Sequence, residues 1–218
     1  MKTCVIISGG RLDFRFASEF LKKENPELII AADKGLAFCE QESFVPSLII
    51  GDFDTLGESL LPKYEAMGIE VRKFDSVKAA TDTELAVKAA MEYGAERILI
   101  LGATEGNRLD HLFGNVMTMM LPQKEGIDCF LIDAHNRVRV LMKPLEIKKE
   151  EQYGKYISLV PLTTDVHGVT LTGFAYPLWD YRMNVETCTS FGISNELATD
   201  VGRIDFRSGI LLMLECRD

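Results

Sequence analysis
Six short apolar runs punctuate the first 134 residues, at 4–8 (CVIIS), 27–33 (ELIIAAD), 47–54 (SLIIGDFD), 69–75 (IEVRKFD), 97–103 (RILILGA) and 128–134 (DCFLIDA). They are nearly continuous in apolar residues rather than alternating, the pattern of strands buried on both faces of a mostly parallel sheet. Between them, FRFASEFLKKE (14–24), DTELAVKAAMEY (82–93) and HLFGNVMTMM (111–120) place apolar residues at helical spacing. One helix start is marked chemically, with Thr81 as N-cap and Glu84 as its partner in a capping box. Residues 1–133 are therefore expected to form an α/β domain, a mostly parallel sheet flanked by helices.

Beyond residue 134 the rhythm changes. Short strand-like segments follow, RVRVLM (137–142), KYISLVPL (155–162), GVTLTGF (168–174), RMNVET (182–187), GRIDF (202–206) and ILLMLE (210–215), separated by glycines and without a clear helix. That pattern predicts a C-terminal all-β sandwich domain over residues 134–218, about 85 residues long.

The strand-end loops of the first domain hold the polar anomalies, and ligands bind beyond the carboxyl ends of strands in open α/β sheets. Ser8-Gly9-Gly10 follows the first run, Asp33-Lys34-Gly35 the second, Asp52 and Asp54 the third, a loop reaching Thr81-Asp82 the fourth, and GATEGNRLDH the fifth. Asp52 and Asp54 stand at i and i+2, and an extended backbone would turn both carboxylates to one side. Such a pair is a seat for a hard divalent ion such as Mg²⁺; the alternative is a solvated turn after a strand. Arg108, leaving a glycine-rich loop at a helix start, suits a phosphate clamp. The alternative is an exposed arginine, with Asp110 and His111 capping the helix. Asp82, in the first turn of its helix, is equally explained by favourable dipole placement.

Composition narrows the field. A net charge of −9 and a pI near 5.0 argue against a nucleic-acid surface, so an anionic ligand must be met locally. The five cysteines contain no C-x-x-C pair and the three histidines no metal-ligand spacing, which leaves reduced thiols and no zinc site. No run approaches the roughly 20 apolar residues of a membrane span, and the N-terminus lacks a signal-peptide core, so a cytoplasmic protein is expected. P-loop, dinucleotide and nucleophile-elbow signatures are absent, leaving a carboxylate-held Mg²⁺–nucleotide site.

The ordered set AADKG, IIGDFDTL, ATDTELAVKAA and GATEGNRLDHLFGN, followed by GFAYPL and GISNE, resembles the thiamine pyrophosphokinase (thiamine diphosphokinase) family along nearly the whole chain. The resemblance implies transfer of diphosphate from ATP to the hydroxyl of thiamine, giving thiamine diphosphate and AMP. It also implies a homodimer whose sites join the nucleotide domain of one subunit to the β-domain of the other. Carried over, Asp33, Asp52, Asp54 and Asp82 form the acidic Mg²⁺ and nucleotide-phosphate set, with Asp52, Asp54 and Asp82 as metal ligands. Arg108, Asp110 and His111 lie beside the nucleotide, and Asp52, Asp54, Asp82 and Arg108 carry the catalysis. Ser194 and Asn195 fall near the thiamine pyrimidine, and Tyr176 at the position of an aromatic residue that stacks on thiamine, with Trp179 as its competitor. The chain departs from the family pattern at Asn107, where a second glycine is common. Two rival functions are a diphosphokinase for another heterocyclic alcohol, such as a pterin, and a non-catalytic Mg²⁺–nucleotide sensor.

Overall fold
The six apolar runs near the N-terminus each form a strand in the computed structural model of the protein, which describes residues 1–53, 60–75, 79–187 and 191–218. The strands are β1 (Thr3–Ile7), β2 (Leu28–Ala32), β3 (Leu48–Gly51), β4 (Glu70–Lys73), β5 (Arg97–Leu101) and β6 (Asp128–Ile132). Helices connect them: α1 (Phe14–Glu24), α2 (Gly35–Glu42), α3 (Leu61–Ala66), α4 (Asp82–Glu92), and the pair α5 (Leu109–Thr118) and α6 (Met120–Lys124). All pairings are parallel, in the order β4-β3-β2-β1-β5-β6. Helices α1 and α2 contact each other, as do α4, α5 and α6, the grouping expected when right-handed crossovers lay helices on two faces of one sheet. Every residue of β1 is buried, and each fully buried Val, Ile or Leu contributes about 1.5–3 kcal/mol.

Local chemistry sets the helix ends. Asp13 caps α1 by accepting from Phe16 N at 3.1 Å, and Asn25 closes it in the left-handed region. Thr81 caps α4 through Glu84 N at 3.1 Å, as its sequence predicts, while the Glu84 carboxylate turns to Lys88 at 2.6 Å. Helices α2, α3 and α6 were not expected from periodicity. They are eight, six and five residues long, too short to display a helical stripe.

Phe53 departs from the extended backbone expected between Asp52 and Asp54. Strand β3 ends at Gly51, and Phe53 adopts a left-handed conformation (φ 58°) that carries its ring into the core at 2 % exposure. The extended backbone that the i, i+2 alternation requires is therefore absent at Phe53. Asp54 itself, like Cys188, lies outside the described residues.

The chain divides into two units, Met1–Ala134 and His135–Asp218. In the second, β7 (Asn136–Leu141), β8 (Leu145–Lys148), β9 (Tyr156–Pro161), β10 (Asp165–Thr172), β11 (Leu178–Asn184), β12 (Val201–Asp205) and β13 (Leu211–Cys216) form two antiparallel layers. One runs β7-β13-β9 and the other β11-β10-β12-β8. Burial alternates strictly along β13, and Ile157, Val169, Met183, Ile204 and Leu211 meet in the core between the layers. Strand β8 was not anticipated. The strand expected at 182–187 is instead β11, shifted toward the N-terminus, because a turn already begins where Thr187 N bonds Asn184 O at 3.2 Å.

Arg137 of β7 and Glu215 of β13 pair across adjacent strands of one layer. Glu215 is wholly buried and accepts from Arg137 Nε at 2.6 Å, from the same guanidinium's terminal nitrogen at 2.8 Å and from Tyr153 N at 3.1 Å. Each carboxylate oxygen thus has a donor, the condition under which a buried charge is tolerable.

Candidate active site
The chain leaves β1 through β2 and β3 to β4 at one edge, then returns to place β5 on the opposite side of β1. The loops after β1 and β5 consequently diverge at a topological switch point, where open α/β sheets bind ligands. Here the two loops are bonded to each other. Ser8 N donates to Leu101 O at 2.8 Å, Gly10 N to Gly102 O at 2.9 Å and Arg11 N to Glu105 O at 3.1 Å. This closeness needs glycine: a Cβ on Gly10 would stand 2.4 Å from Gly102 O, and one on Gly102, at φ 67°, 2.7 Å from Ser8 O. The buried Ser8 hydroxyl bonds the Thr83 hydroxyl at 2.6 Å and so pins the first turn of α4, which carries Asp82, to the end of β1. Asn115 of α5 steadies the β5 loop by donating to Ala103 O at 2.9 Å.

Three of the sequence-predicted carboxylates converge at this edge. Asp33 follows β2 in the left-handed region (φ 47°), its N–H bonded to Ile50 O at 2.8 Å. Burial raises the Asp33 carboxyl above its ordinary range, and the nearby Asp82 and Asp52 raise it further, against a lowering hydrogen bond from Lys34 N–H. Among the described residues of the strand-end loops, the buried Asp33 Oδ1 and Thr104 Oγ1 have no hydrogen-bond partner. A carboxylate oxygen without a donor, among carboxylates that repel it, is an arrangement a divalent cation would relieve. Among the described residues no three acidic, histidine or cysteine side chains form a ready-made metal cage.

Arg108 stands at the start of α5, exposed, with its guanidinium on Asp110 at 2.9 and 2.5 Å. That contact holds the Asp110 carboxyl down to about 2. Asp110 does not cap the helix; it occupies the first turn, as the helix dipole favours, and His111 is exposed beside it with its N–H on Arg108 O at 3.1 Å. The buried thiols take no part: burial pushes Cys4 and Cys39 up to about 12.

The second unit contains an apolar cavity of about 480 Å³, lined among others by Ile157, Phe174, Tyr176, Met183, Phe191 and Asn195. Tyr176 is 70 % exposed at its rim, whereas Trp179, 71 % exposed, does not line it. Neither ring is packed in the core. Asn195 is buried with its side-chain amide bonded to the backbone of Tyr176, while Ser194 is exposed in the left-handed region (φ 59°). Sequence reasoning missed Phe191, which stacks on Tyr181 with ring centroids 4.9 Å apart and lines the cavity. Its signal was the pair of apolar residues flanking Gly192. Thr83 was missed as well, since only the fold brings it to Ser8.

Together these features define a class: a doubly wound α/β unit with a carboxylate-lined site at its switch point, carried on one chain with a β-sandwich that encloses an apolar cavity. A family model described as "Thiamin pyrophosphokinase, catalytic domain" matches residues 21–131, and one described as "Thiamin pyrophosphokinase, vitamin B1 binding domain" matches residues 144–211. The chain belongs to the thiamine pyrophosphokinase family. It is 32 % identical over 219 residues to the thiamine pyrophosphokinase of Bacillus subtilis (strain 168), covering 100 % of both chains. A crystal structure of the Bacillus subtilis thiamine pyrophosphokinase superposes with a TM-score of 0.86 over 100 % of each chain. One from Geobacillus thermodenitrificans, 29 % identical, gives 0.82 over 99 % of this chain and 98 % of that one.

Proposed function
We infer that this protein is a thiamine diphosphokinase, transferring the terminal diphosphate of ATP to the hydroxyl of thiamine and releasing AMP. The observation that carries this is the occurrence, in order on one chain, of matches to the catalytic and the vitamin B1 binding models. In this reading residues 1–133 hold the nucleotide and Mg²⁺, and residues 134–218 hold thiamine.

The thiamine hydroxyl oxygen attacks the β-phosphorus of ATP. A new O–P bond forms, the bond from that phosphorus to the oxygen bridging the α-phosphate breaks, the hydroxyl proton is lost and AMP departs. Negative charge on the transferred group is the principal obstacle, so positioning and neutralisation supply the catalysis. Asp52 and Asp82, with Asp54 as the resemblance implies, would hold Mg²⁺, and the unpartnered Oδ1 of Asp33 supports placing that residue beside them. When bound there, the cation supplies Lewis-acid neutralisation of phosphate oxygens. Arg108 exchanges Asp110 for phosphate, a substitution that costs little because the present pair is exposed. Asp110 and His111 flank the nucleotide. Tyr176 stacks on the cationic heterocycle at the cavity rim, and Ser194 faces the pyrimidine.

The functional assembly in this account is a cytoplasmic homodimer, each site joining the strand-end loops of one subunit to the cavity of the other. Among the described residues no helix is long and apolar enough to cross a membrane. Thermal-shift titrations of the purified protein test the assignment. ATP with Mg²⁺ and thiamine should each raise the melting temperature, and AMP release should require thiamine. Stabilisation by a hydroxymethyl pterin in place of thiamine would transfer the activity to another alcohol. Stabilisation by nucleotide without AMP release would make the protein a sensor.

A further inference from the structure
We propose that Asn195 acts on the substrate through Tyr176: it is a positioning residue that fixes the Tyr176 ring at the cavity rim and does not itself bind thiamine. The inference rests on the reading that this cavity takes thiamine. Residues 173–175 and 196–198 run antiparallel beside the cavity, with Ala175 N bonded to Glu196 O at 2.8 Å and Ala198 N to Gly173 O at 2.9 Å. At Asn195 the main chain turns to β9 instead, exchanging bonds with Ile157 at 2.7 and 2.9 Å. The side chain then takes over the ladder. Nδ2 donates to Tyr176 O at 2.8 Å and Oδ1 accepts from Tyr176 N at 3.0 Å, so the carboxamide reproduces both bonds of a peptide group. Oδ1 also accepts from Glu196 N at 2.9 Å. Two N–H donors on one atom and a carbonyl on the other fix the orientation of the amide.

Both lone pairs of Oδ1 and one of the two Nδ2 hydrogens are thereby used, and the residue is 8 % exposed. Tyr176, by contrast, is 70 % exposed, and the backbone beyond it is stiffened by Pro177. A ring standing in solvent is aimed by its backbone, and here that backbone is held by Asn195. The two residues that the family resemblance pairs thus divide: Ser194 keeps its side chain at the surface, while Asn195 is spent on the protein.

A double-mutant cycle on the full-length enzyme tests this. Tyr176→Ala should raise KM for thiamine roughly 2- to 30-fold, the span of a cation–π contact, and Asn195→Ala should raise it by no more than that, with KM for ATP unchanged in both. The Tyr176→Ala/Asn195→Ala double variant should match Tyr176→Ala within about twofold, whereas Asn195→Ala and Phe191→Ala should multiply. Single effects of Asn195→Ala and Tyr176→Ala that multiply would mean that Asn195 contacts thiamine directly, and would overturn the proposal. Effects of Asn195→Ala and Phe191→Ala that fail to multiply would reveal general collapse of the cavity and would overturn it too. Should Asn195→Ala not fold, Asn195→Asp replaces it in the cycle, since it keeps both acceptor roles and loses only the donor to Tyr176 O. An unchanged thiamine KM in Tyr176→Ala would remove the cavity reading itself, an outcome separable from a failure of the coupling alone.

Discussion

Asp33→Asn should make the metal-free protein more stable and the enzyme much slower. Asp33 Oδ1 is buried without a donor, and such an atom costs about 1–3 kcal/mol. An asparagine keeps an oxygen for Lys34 N–H and offers an N–H₂ group to the acidic neighbours that now repel the carboxylate. With part of the penalty remaining, a gain of about 1 kcal/mol is expected, or roughly 2–4 °C for a chain of this length. The pH dependence follows from the raised carboxyl. The folded state holds the Asp33 proton more tightly than the unfolded chain does. The stability this contributes is complete below the ordinary value of 3.8 and is lost as pH rises through the raised one. The advantage of the asparagine variant should therefore appear at neutral pH and shrink toward pH 3.8. Differential scanning fluorimetry in a chelating buffer across that range measures it, and a coupled AMP assay with Mg²⁺ should find kcat reduced on the order of 10²-fold. A variant that melts below wild type at neutral pH, or that keeps kcat within threefold, would refute the view that this carboxylate is held in reserve for a cation.

Asp52→Asn, Asp54→Asn and Asp82→Asn should each lower kcat on the order of 10²-fold or more while melting normally, as steady-state kinetics and fluorimetry on the same samples would establish. Arg137→Ala leaves Glu215 buried without its cation, with the Tyr153 N–H still on one oxygen, and should cost about 3 kcal/mol, read as a lower denaturation midpoint in urea with an unchanged slope. Sites shared between subunits predict that a mixture of Asp52→Asn and Tyr176→Ala chains, after confirmed subunit exchange, turns over low thiamine faster than the mean of its parents. No gain would confine each site to one chain.

How much of this was legible in the sequence differed by element. Strands β1, β2, β3, β5 and β6 were, because a largely buried strand leaves a short, nearly unbroken apolar run bounded by turn residues; β4 is not of that kind, with Glu70 and Lys73 exposed at its ends and Val71 and Arg72 only half-buried. Helix α2 was hidden because its burial is dictated by packing rather than periodicity: a Cβ on Gly35 would stand 2.0 Å from Ile7 O, so the helix start is seated directly on β1. Strand β8 is four residues long and follows Pro144, which a sequence reader takes for a turn. At the site, Asp33, Asp52 and Asp82 were found from their places after strands, since topology alone sends such residues to one edge. Their mutual repulsion, the Ser8–Thr83 bond across 75 positions and the grip of Asn195 on Tyr176 across 19 required the fold. Phe53 marks the other limit. A rule of strand alternation was applied one residue past the strand's end, where the burial of an aromatic ring outweighed the preference for extended backbone.

Product analysis is the most direct measurement of the central claim. Purified enzyme incubated with ATP, Mg²⁺ and thiamine, and followed by phosphorus NMR, should release AMP and thiamine diphosphate in equal amounts, with no AMP when thiamine is omitted. Accumulation of ADP with thiamine monophosphate, or turnover of ATP indifferent to thiamine, would contradict it.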